Sequence, residues 1–167
     1  SRNWCLVLFS MVFWVCFAFD SSPALANELI RGLTESGVKV LDLGIVSTGC
    51  VYHACWTLPV DSGVMVTASH LPMPTHNGFK MCRGTLPLAG EEIQELKQVF
   101  LAGDFIDGQG EIVDNPHIDT YLQAIIESTG PLARSVKVAV DCGNAVPGPA
   151  MSKLLDMMAV SYTHLRA

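Results

Sequence analysis

Apolar residues follow two alternating patterns along the chain. In one, about four to eight apolar residues occur almost continuously, as in "SGVMVTAS", which is typical of a strand buried on both faces. In the other they recur every three or four positions, as in "EEIQELKQVF", which is typical of an amphipathic helix. The patterns predict strands at 38–44, 62–69, 79–83 and 136–141, and helices at 23–37, 48–58, 89–103, 116–128 and 150–158. Strands that alternate with helices in this way predict a layered α/β fold.

Both ends of the chain depart from these patterns. Residues 4–19, "WCLVLFSMVFWVCFAF", are apolar almost without interruption and precede small residues, as in a secretory signal. Cleavage after Ala26 would divide the helix at 23–37, which argues against a working signal peptide. We therefore expect residues 1–19 to lie outside the domain, either as a signal-like segment or as the product of a shifted reading frame. An exported or membrane-anchored protein that uses this segment is the alternative. We expect residues 161–167, "SYTHLRA", to be a further segment outside the domain.

Charge and cysteine content indicate which kinds of binding site the protein lacks. Half of the 167 residues are hydrophobic, the net charge is −6, and the ten Lys and Arg residues form no cluster, which excludes a nucleic-acid binding surface. None of the six cysteines forms a Cys-x-x-Cys pair. Cys50, His53 and Cys55 lie at metal-ligand spacing but lack a fourth ligand, so reduced thiols in a cytoplasmic protein are the better interpretation.

The segment "VTASHLPMPTHNGFK", residues 66–80, carries the candidate chemistry. Ser69 ends a strand, and ligands of open α/β sheets bind beyond the carboxyl ends of the strands. The residues that follow supply groups that suit a phosphate, from His70, His76, Asn77 and Lys80. No glycine lies two positions from Ser69, so the nucleophile elbow of the α/β-hydrolases is absent. From the residues alone, Ser69 is either a reactive serine or an ordinary polar loop residue.

This segment resembles the phosphoserine loop of the α-D-phosphohexomutases, the phosphomannomutase/phosphoglucomutase family. The usual form is T-A-S-H-N-P followed by N-G-F-K, and nine residues match in order: Thr67, Ala68, Ser69, His70, Pro72, Asn77, Gly78, Phe79 and Lys80. "SSPALANELIRGLTESGVKVLDLGIVST" and "VKVAVDCGNAVPGPA" resemble the family as well, so the likeness covers about residues 20–160. It implies the family's layered α/β/α domain I at 20–130 and the start of a second similar domain at 131–160.

The resemblance also implies an activity. Ser69 would carry a phosphoryl group, donate it to a hexose phosphate, and recover the other phosphate from the hexose bisphosphate intermediate. Mg²⁺ would bind through the phosphate on Ser69. His70 and Lys80 would contact the phosphate or move protons, while Thr67, Asn77 and Gly78 would shape the loop. The partners would be a hexose phosphate and a hexose bisphosphate, in the cytoplasm, with no nucleic acid and no membrane.

The sequence departs from the family in several places. Leu71 replaces the commoner Asn, and the loop is one residue longer than usual, which affects the placement of Lys80. The family's Gly-Arg-Asp strand is replaced by "VFWVCFAFD", and its aspartate-rich metal loop is not present in this chain. We therefore expect a fragment of a mutase that has no mutase activity by itself, with a non-catalytic or decayed mutase-like binding domain as the alternative. His76 is expected to be solvated, and Asp141 to cap the turn that follows it.

Overall fold

A computed structural model describes residues 10–15, 21–69, 71, 75–143 and 145–165 of the chain. The strands are β1 (Ser10–Val15), β2 (Lys39–Asp42), β3 (Ser62–Val66), β4 (Phe79–Arg83), β5 (Leu86–Pro87), β6 (Ile112–Asp114), β7 (Lys137–Asp141) and β8 (Ser161–Leu165). The helices are α1 (Ser22–Glu35), α2 (Thr48–Thr57), α3 (Glu91–Ala102), α4 (Ile118–Thr129) and α5 (Pro147–Met157). The five predicted helices and the four predicted strands are confirmed, with boundaries that shift by a few residues.

Six strands form one mixed sheet in the order β5-β4-β3-β1-β2-β6. Strands β1, β2, β3 and β6 run parallel, whereas β4 and β5 run antiparallel to their neighbours. The carboxyl ends of the four parallel strands therefore meet at one edge of the sheet. Strands β7 and β8 pair in parallel as a separate two-stranded sheet.

Helices cover both faces of the six-stranded sheet, which confirms the layered α/β/α architecture. All five residues of β3 are buried, so its side chains alternate between two cores. The α1-face core consists of aliphatic side chains, namely Ala26, Val38, Val40, Val64 and Val66, under the apolar stripe of α1. The α2-face core is richer in sulfur and consists of Leu43, Val46, Cys50, Val51, Ala54, Cys55, Met65 and Cys82.

Four strands were not predicted, and two of them lie in the end segments. Residues 10–15 form β1, which pairs with both β2 and β3 in the middle of the sheet. Residues 161–165 form β8 beside β7. The proposed origin of residues 1–19 and 161–167 outside the family domain stays a prediction, but both segments supply strands. Residues 1–9, 16–20 and 166–167 lie outside the described residues.

The other two strands, β5 and β6, are short. The segment "DGQGEIVDN" was predicted as a connector, but residues 112–114 in its second half pair with β2 as β6. Two glycines of this segment bring it against the end of α1, where Gly108 N–H donates to Glu35 O (2.7 Å) and Gly110 N–H donates to Thr34 O (2.7 Å). A Cβ at Gly110 would lie 2.0 Å from Val38 O, so only glycine fits this approach. Within the described part of the chain, no helix combines the length and the apolar character needed to cross a membrane.

Candidate active site at the carboxyl edge of the sheet

The candidate loop connects β3 to β4 at the edge where the parallel strands end. Thr67 N–H donates to Gly78 O (2.8 Å), which continues the antiparallel pairing of these strands by one step and closes the base of the loop. Ala68 is only 3% exposed and anchors the start of the loop in the protein. The loop therefore leaves the sheet from a fixed base.

Ser69 is exposed and has a left-handed backbone, with φ of 57°. This conformation is uncommon for a residue other than glycine and costs about 1 kcal/mol. The Ser69 N–H donates to Thr67 Oγ1 (3.1 Å), and Leu71 N–H donates to Ala68 O (3.0 Å), so a tight turn holds the serine in place. The combination of exposure and backbone strain, at the end of a buried strand, is typical of a functional residue.

Asn77 ties the far side of the loop to the beginning of α1. Its Nδ2 donates to Ser21 Oγ (3.0 Å) and Ser22 Oγ (2.9 Å), while its Oδ1 accepts from Gly78 N–H (2.9 Å). Ser22 is fully buried, so the asparagine satisfies a hydroxyl that water does not reach. The loop-shaping role expected of Asn77 and Gly78 stays a prediction. Ser21 and Ser22 could not be recognised as partners from the sequence, because 55 or more residues separate them from Asn77.

Lys80 is exposed on β4, directly opposite Met65 on β3. Because side chains alternate along a strand, Lys80 shares the α2 face of the sheet with Met65 and Cys82. Thr48, the first residue of α2, donates from Oγ1 to the sulfur of Met65 (3.4 Å). The beginning of α2 therefore lies at the same edge as Lys80, and its positive dipole end adds to the positive charge of the lysine. The sequence predicts that a helix begins at Thr48, but it does not indicate that this residue lies near Lys80.

The remaining predicted residues have different outcomes. His70 lies outside the described residues, as do Pro72, Met73 and Pro74. His76 is exposed, as expected, and its Nδ1 lies 2.8 Å from Thr75 Oγ1. Asp141 accepts from Gly143 N–H (2.9 Å), which confirms its predicted capping role.

The three residues with metal-ligand spacing have separate partners. Cys55 Sγ lies 3.4 Å from Cys82 Sγ, and His53 Nδ1 lies 2.9 Å from His117 Nε2. Cys50 is fully buried in the α2-face core, and burial raises the pKa of its thiol to about 12. Among the described residues, no group of three or more His, Cys, Asp or Glu side chains could hold a metal ion.

Comparisons with known proteins agree with this architecture. Residues 20–107 match the family described as "Phosphoglucomutase/phosphomannomutase, alpha/beta/alpha domain I". A phosphomannomutase/phosphoglucomutase of Pseudomonas aeruginosa is 37% identical over 145 residues, which cover 87% of this chain and 31% of the relative. A phosphoglucomutase of Neisseria gonorrhoeae is 39% identical over 147 residues, which cover 87% of this chain and 32% of the relative.

A solved structure agrees as well. A crystal structure of a phosphoglucomutase/phosphomannomutase family protein from Burkholderia thailandensis superposes with a TM-score of 0.84 at 32% identity, and it covers 93% of this chain and 35% of the other. The chain thus spans about a third of the length of these relatives. On this sequence match and this fold, the chain belongs to the phosphoglucomutase/phosphomannomutase family.

Proposed function

We propose that this chain is the phosphoryl-carrying part of a hexose-phosphate mutase, with Ser69 as the residue that carries the phosphate. The mutase would move phosphate between the anomeric and the primary hydroxyl of a hexose through a bound bisphosphate. The observation that carries this proposal is the geometry of Ser69, which is exposed, left-handed and fixed at the carboxyl end of β3. The family of the chain and the names of its relatives support it further.

The transfer step exchanges one phosphate ester for another. A sugar hydroxyl oxygen forms a bond to phosphorus while the bond between phosphorus and Ser69 Oγ breaks, and the proton of the sugar hydroxyl passes to Ser69 Oγ overall. The second transfer reverses these bonds at the other hydroxyl of the sugar. Phosphoryl transfer requires little covalent assistance from a protein, so position and charge stabilisation dominate.

Three features of the loop would supply that position and charge. Thr67 fixes the backbone of Ser69, and Asn77 fixes the opposite side of the loop. Lys80 and the beginning of α2 lie on one face of the sheet at the same edge and would offset the charge of the phosphate. His70 and Lys80 are the residues that we propose to contact the phosphate or move the proton.

Magnesium fits this site through the phosphate on Ser69, because phosphate oxygens are ligands that Mg²⁺ prefers. When bound there, the ion would offset charge that develops on the transferring group. We propose Ser69 as the magnesium-binding residue of this chain, by way of its phosphate. Because the chain spans about a third of its relatives, we also propose that it has no mutase activity by itself. A cytoplasmic location suits a phosphorylated sugar substrate and the free cysteines of the described residues.

Phosphate uptake from a hexose bisphosphate tests the proposal. The purified chain is incubated with glucose 1,6-bisphosphate and Mg²⁺, and its peptides are mapped by mass spectrometry. We expect a gain of about 80 Da on the peptide that contains Ser69, and removal of this phosphate by excess glucose 6-phosphate. Ser69→Ala should gain nothing, whereas Ser135→Ala, which changes another exposed serine, should behave as the parent chain. A folded parent chain that stays unphosphorylated would favour a non-catalytic or decayed domain.

A further inference from the structure

We propose that Cys55 and Cys82 form a reversible disulfide when the protein meets hydrogen peroxide, which makes the pair a redox modification site in the α2-face core. The two sulfur atoms lie 3.4 Å apart, on α2 and β4 respectively. Both residues are buried in the α2-face core. The mutase chemistry proposed above uses neither thiol, so this inference does not depend on it.

Gly63 of β3 makes room for this pair. A Cβ at position 63 would lie 2.6 Å from Cys55 Sγ and 3.0 Å from Cys82 Sγ, so the thiols meet directly over the glycine. The Cys82 thiol also lies 3.5 Å from Gly63 O. A disulfide bond is about 2.05 Å long, so an approach of little more than 1 Å converts the contact into a bond. Any larger residue at position 63 would hold the sulfurs apart.

The protonation of the pair supports the reaction. The two thiols lie within hydrogen-bonding distance of each other, and this contact lowers the pKa of Cys82 and raises the pKa of Cys55. Cys82 is therefore the thiol of the pair that ionises more readily, and the thiolate is the reactive form of cysteine. Cys50 lies in the same core, but burial raises the pKa of its thiol to about 12, so it stays protonated and unreactive.

The oxidation balances with one molecule of hydrogen peroxide. The Cys82 thiolate attacks one peroxide oxygen, the O–O bond breaks, and Cys82 sulfenic acid and hydroxide form. The hydroxide becomes water with the proton that Cys82 had released. The Cys55 sulfur then attacks the Cys82 sulfur, the S–S bond forms, and the sulfenic oxygen leaves as water with the Cys55 proton. Two thiols are oxidised, the peroxide is reduced to two waters, and a dithiol reverses the change.

The bond would close a segment of the chain that contains the candidate loop. Cys55 and Cys82 are 27 positions apart, and the chain between them includes β3 and the whole segment from Thr67 to Gly78. The disulfide would fasten α2 to β4 across β3, and it would restrict the unfolded chain more than the folded one. We therefore expect the oxidised protein to be more resistant to heat than the reduced protein.

Mass mapping of the folded full chain tests the site. The protein is treated with hydrogen peroxide under native conditions, remaining thiols are alkylated after denaturation, and peptides are separated without reductant. We expect the peptides of Cys55 and Cys82 to be linked, with a loss of about 2 Da from two hydrogens, and dithiothreitol to release them. Cys50→Ser should keep the link, and Cys82→Ser should lose it. Free alkylated Cys55 and Cys82 in the parent chain, or a link to another cysteine, would overturn the proposal.

A thermal measurement separates a disulfide that constrains the fold from one that forms only in unfolded protein. Oxidation should raise the melting temperature of the parent chain by several degrees, and dithiothreitol should reverse the rise. Cys82→Ala should show neither the rise nor its reversal. An oxidised parent chain that melts no later than the reduced one would contradict the proposed constraint.

Discussion

The candidate loop and the α2-face core share the same two strands but are built in opposite ways. The loop, residues 67–78, is polar, and its described members past Ala68 lie at or near the surface with Ser69 in a strained backbone. The core beneath it is apolar and sulfur-rich, and it buries Gly63, Met65 and Cys82 on one face. Most of the residues expected to serve phosphate chemistry therefore lie in the loop that follows β3, and the residues that stabilise the fold lie a few positions away in the strands. Substitutions in the loop should affect phosphate uptake, and substitutions in the core should affect the free energy of unfolding.

Of all the substitutions, Ser69→Ala should reduce phosphate uptake the most, and it should leave the stability nearly unchanged. Alanine has no oxygen to carry the phosphate, so the gain of mass from glucose 1,6-bisphosphate should disappear completely. The exposed side chain makes no buried contact, so the free energy of unfolding should change by less than about 0.5 kcal/mol. Mass spectrometry measures the first quantity and urea denaturation the second. A marked loss of stability in Ser69→Ala would break the separation between loop and core.

Gly63→Ala should lower the free energy of unfolding, in contrast to Ser69→Ala, which should affect phosphate uptake alone. The new methyl group would meet Cys55 Sγ at 2.6 Å and Cys82 Sγ at 3.0 Å, so the sulfurs or the strands must move. Overpacking of this kind should lower the free energy of unfolding by about 2 kcal/mol. Denaturation in urea with dithiothreitol present measures it without interference from oxidation.

Gly32→Ala is the matched control for that substitution. Gly32 is exposed within α1, and a Cβ there would meet nothing within 4 Å. The same chemical change should therefore raise the free energy of unfolding by about 1 kcal/mol, because alanine favours helices more than glycine does. Equal effects at both positions would show that contact with the two thiols does not explain the glycine at position 63.

Asn77→Ala should reduce both phosphate uptake and the free energy of unfolding, since Asn77 connects the loop to the rest of the fold. The variant loses the donor to the fully buried Ser22 Oγ, which should cost about 1–2 kcal/mol of unfolding free energy. The loop also loses its link to α1, so phosphate uptake should slow by about tenfold. His76→Ala, a change to an exposed residue of the same loop, should alter stability by less than about 0.5 kcal/mol. Full-rate uptake by Asn77→Ala would mean that this link does not position Ser69.

Local pattern predicted those parts of the fold that have clear periodicity or clear boundaries. The apolar stripe of Leu25, Leu29 and Leu33 predicted α1, because one face of a helix must be buried to make it stable. Strand β1 could not be delimited in the same way, because the apolar run from residue 4 to residue 19 contains no turn residue to mark an end. Its ends are set by pairing with β2 and β3, which is a long-range property. Strand β6 was missed because three residues between glycines and a proline are too few for a pattern.

The residues of the candidate site also divide into those that a local pattern predicts and those that only long-range packing brings together. Ser69, Asn77 and Lys80 lie in one continuous segment whose order of residues is specific, so sequence sufficed to single them out. The partners Ser21 and Ser22 join them only because α1 begins at the edge where β3 ends. The thiol pair was missed for the same reason, since Cys55 and Cys82 are 27 positions apart and meet only through the register of β4 against β3.

The smallest expected effect concerns acid and belongs to the core side of the comparison. His117 is 5% exposed, and burial together with the neighbouring His53 lowers its pKa below the ordinary value. The ring lies against His53 and Thr57 of α2, so it stays neutral in the folded protein. The unfolded chain binds this proton more readily, and stability should therefore be complete above about pH 6.5 and should fall as the pH drops from there through the lower pKa of the folded state.

Urea denaturation between pH 7.5 and pH 5 should show this slope in the parent chain and a shallower slope in His117→Gln. His76→Gln, which changes an exposed histidine of the loop, should keep the parent slope, because the substitution changes no buried group. If His76→Gln flattened the slope and His117→Gln did not, the acid sensitivity would belong to the loop, and the buried face of α2 would not be its source.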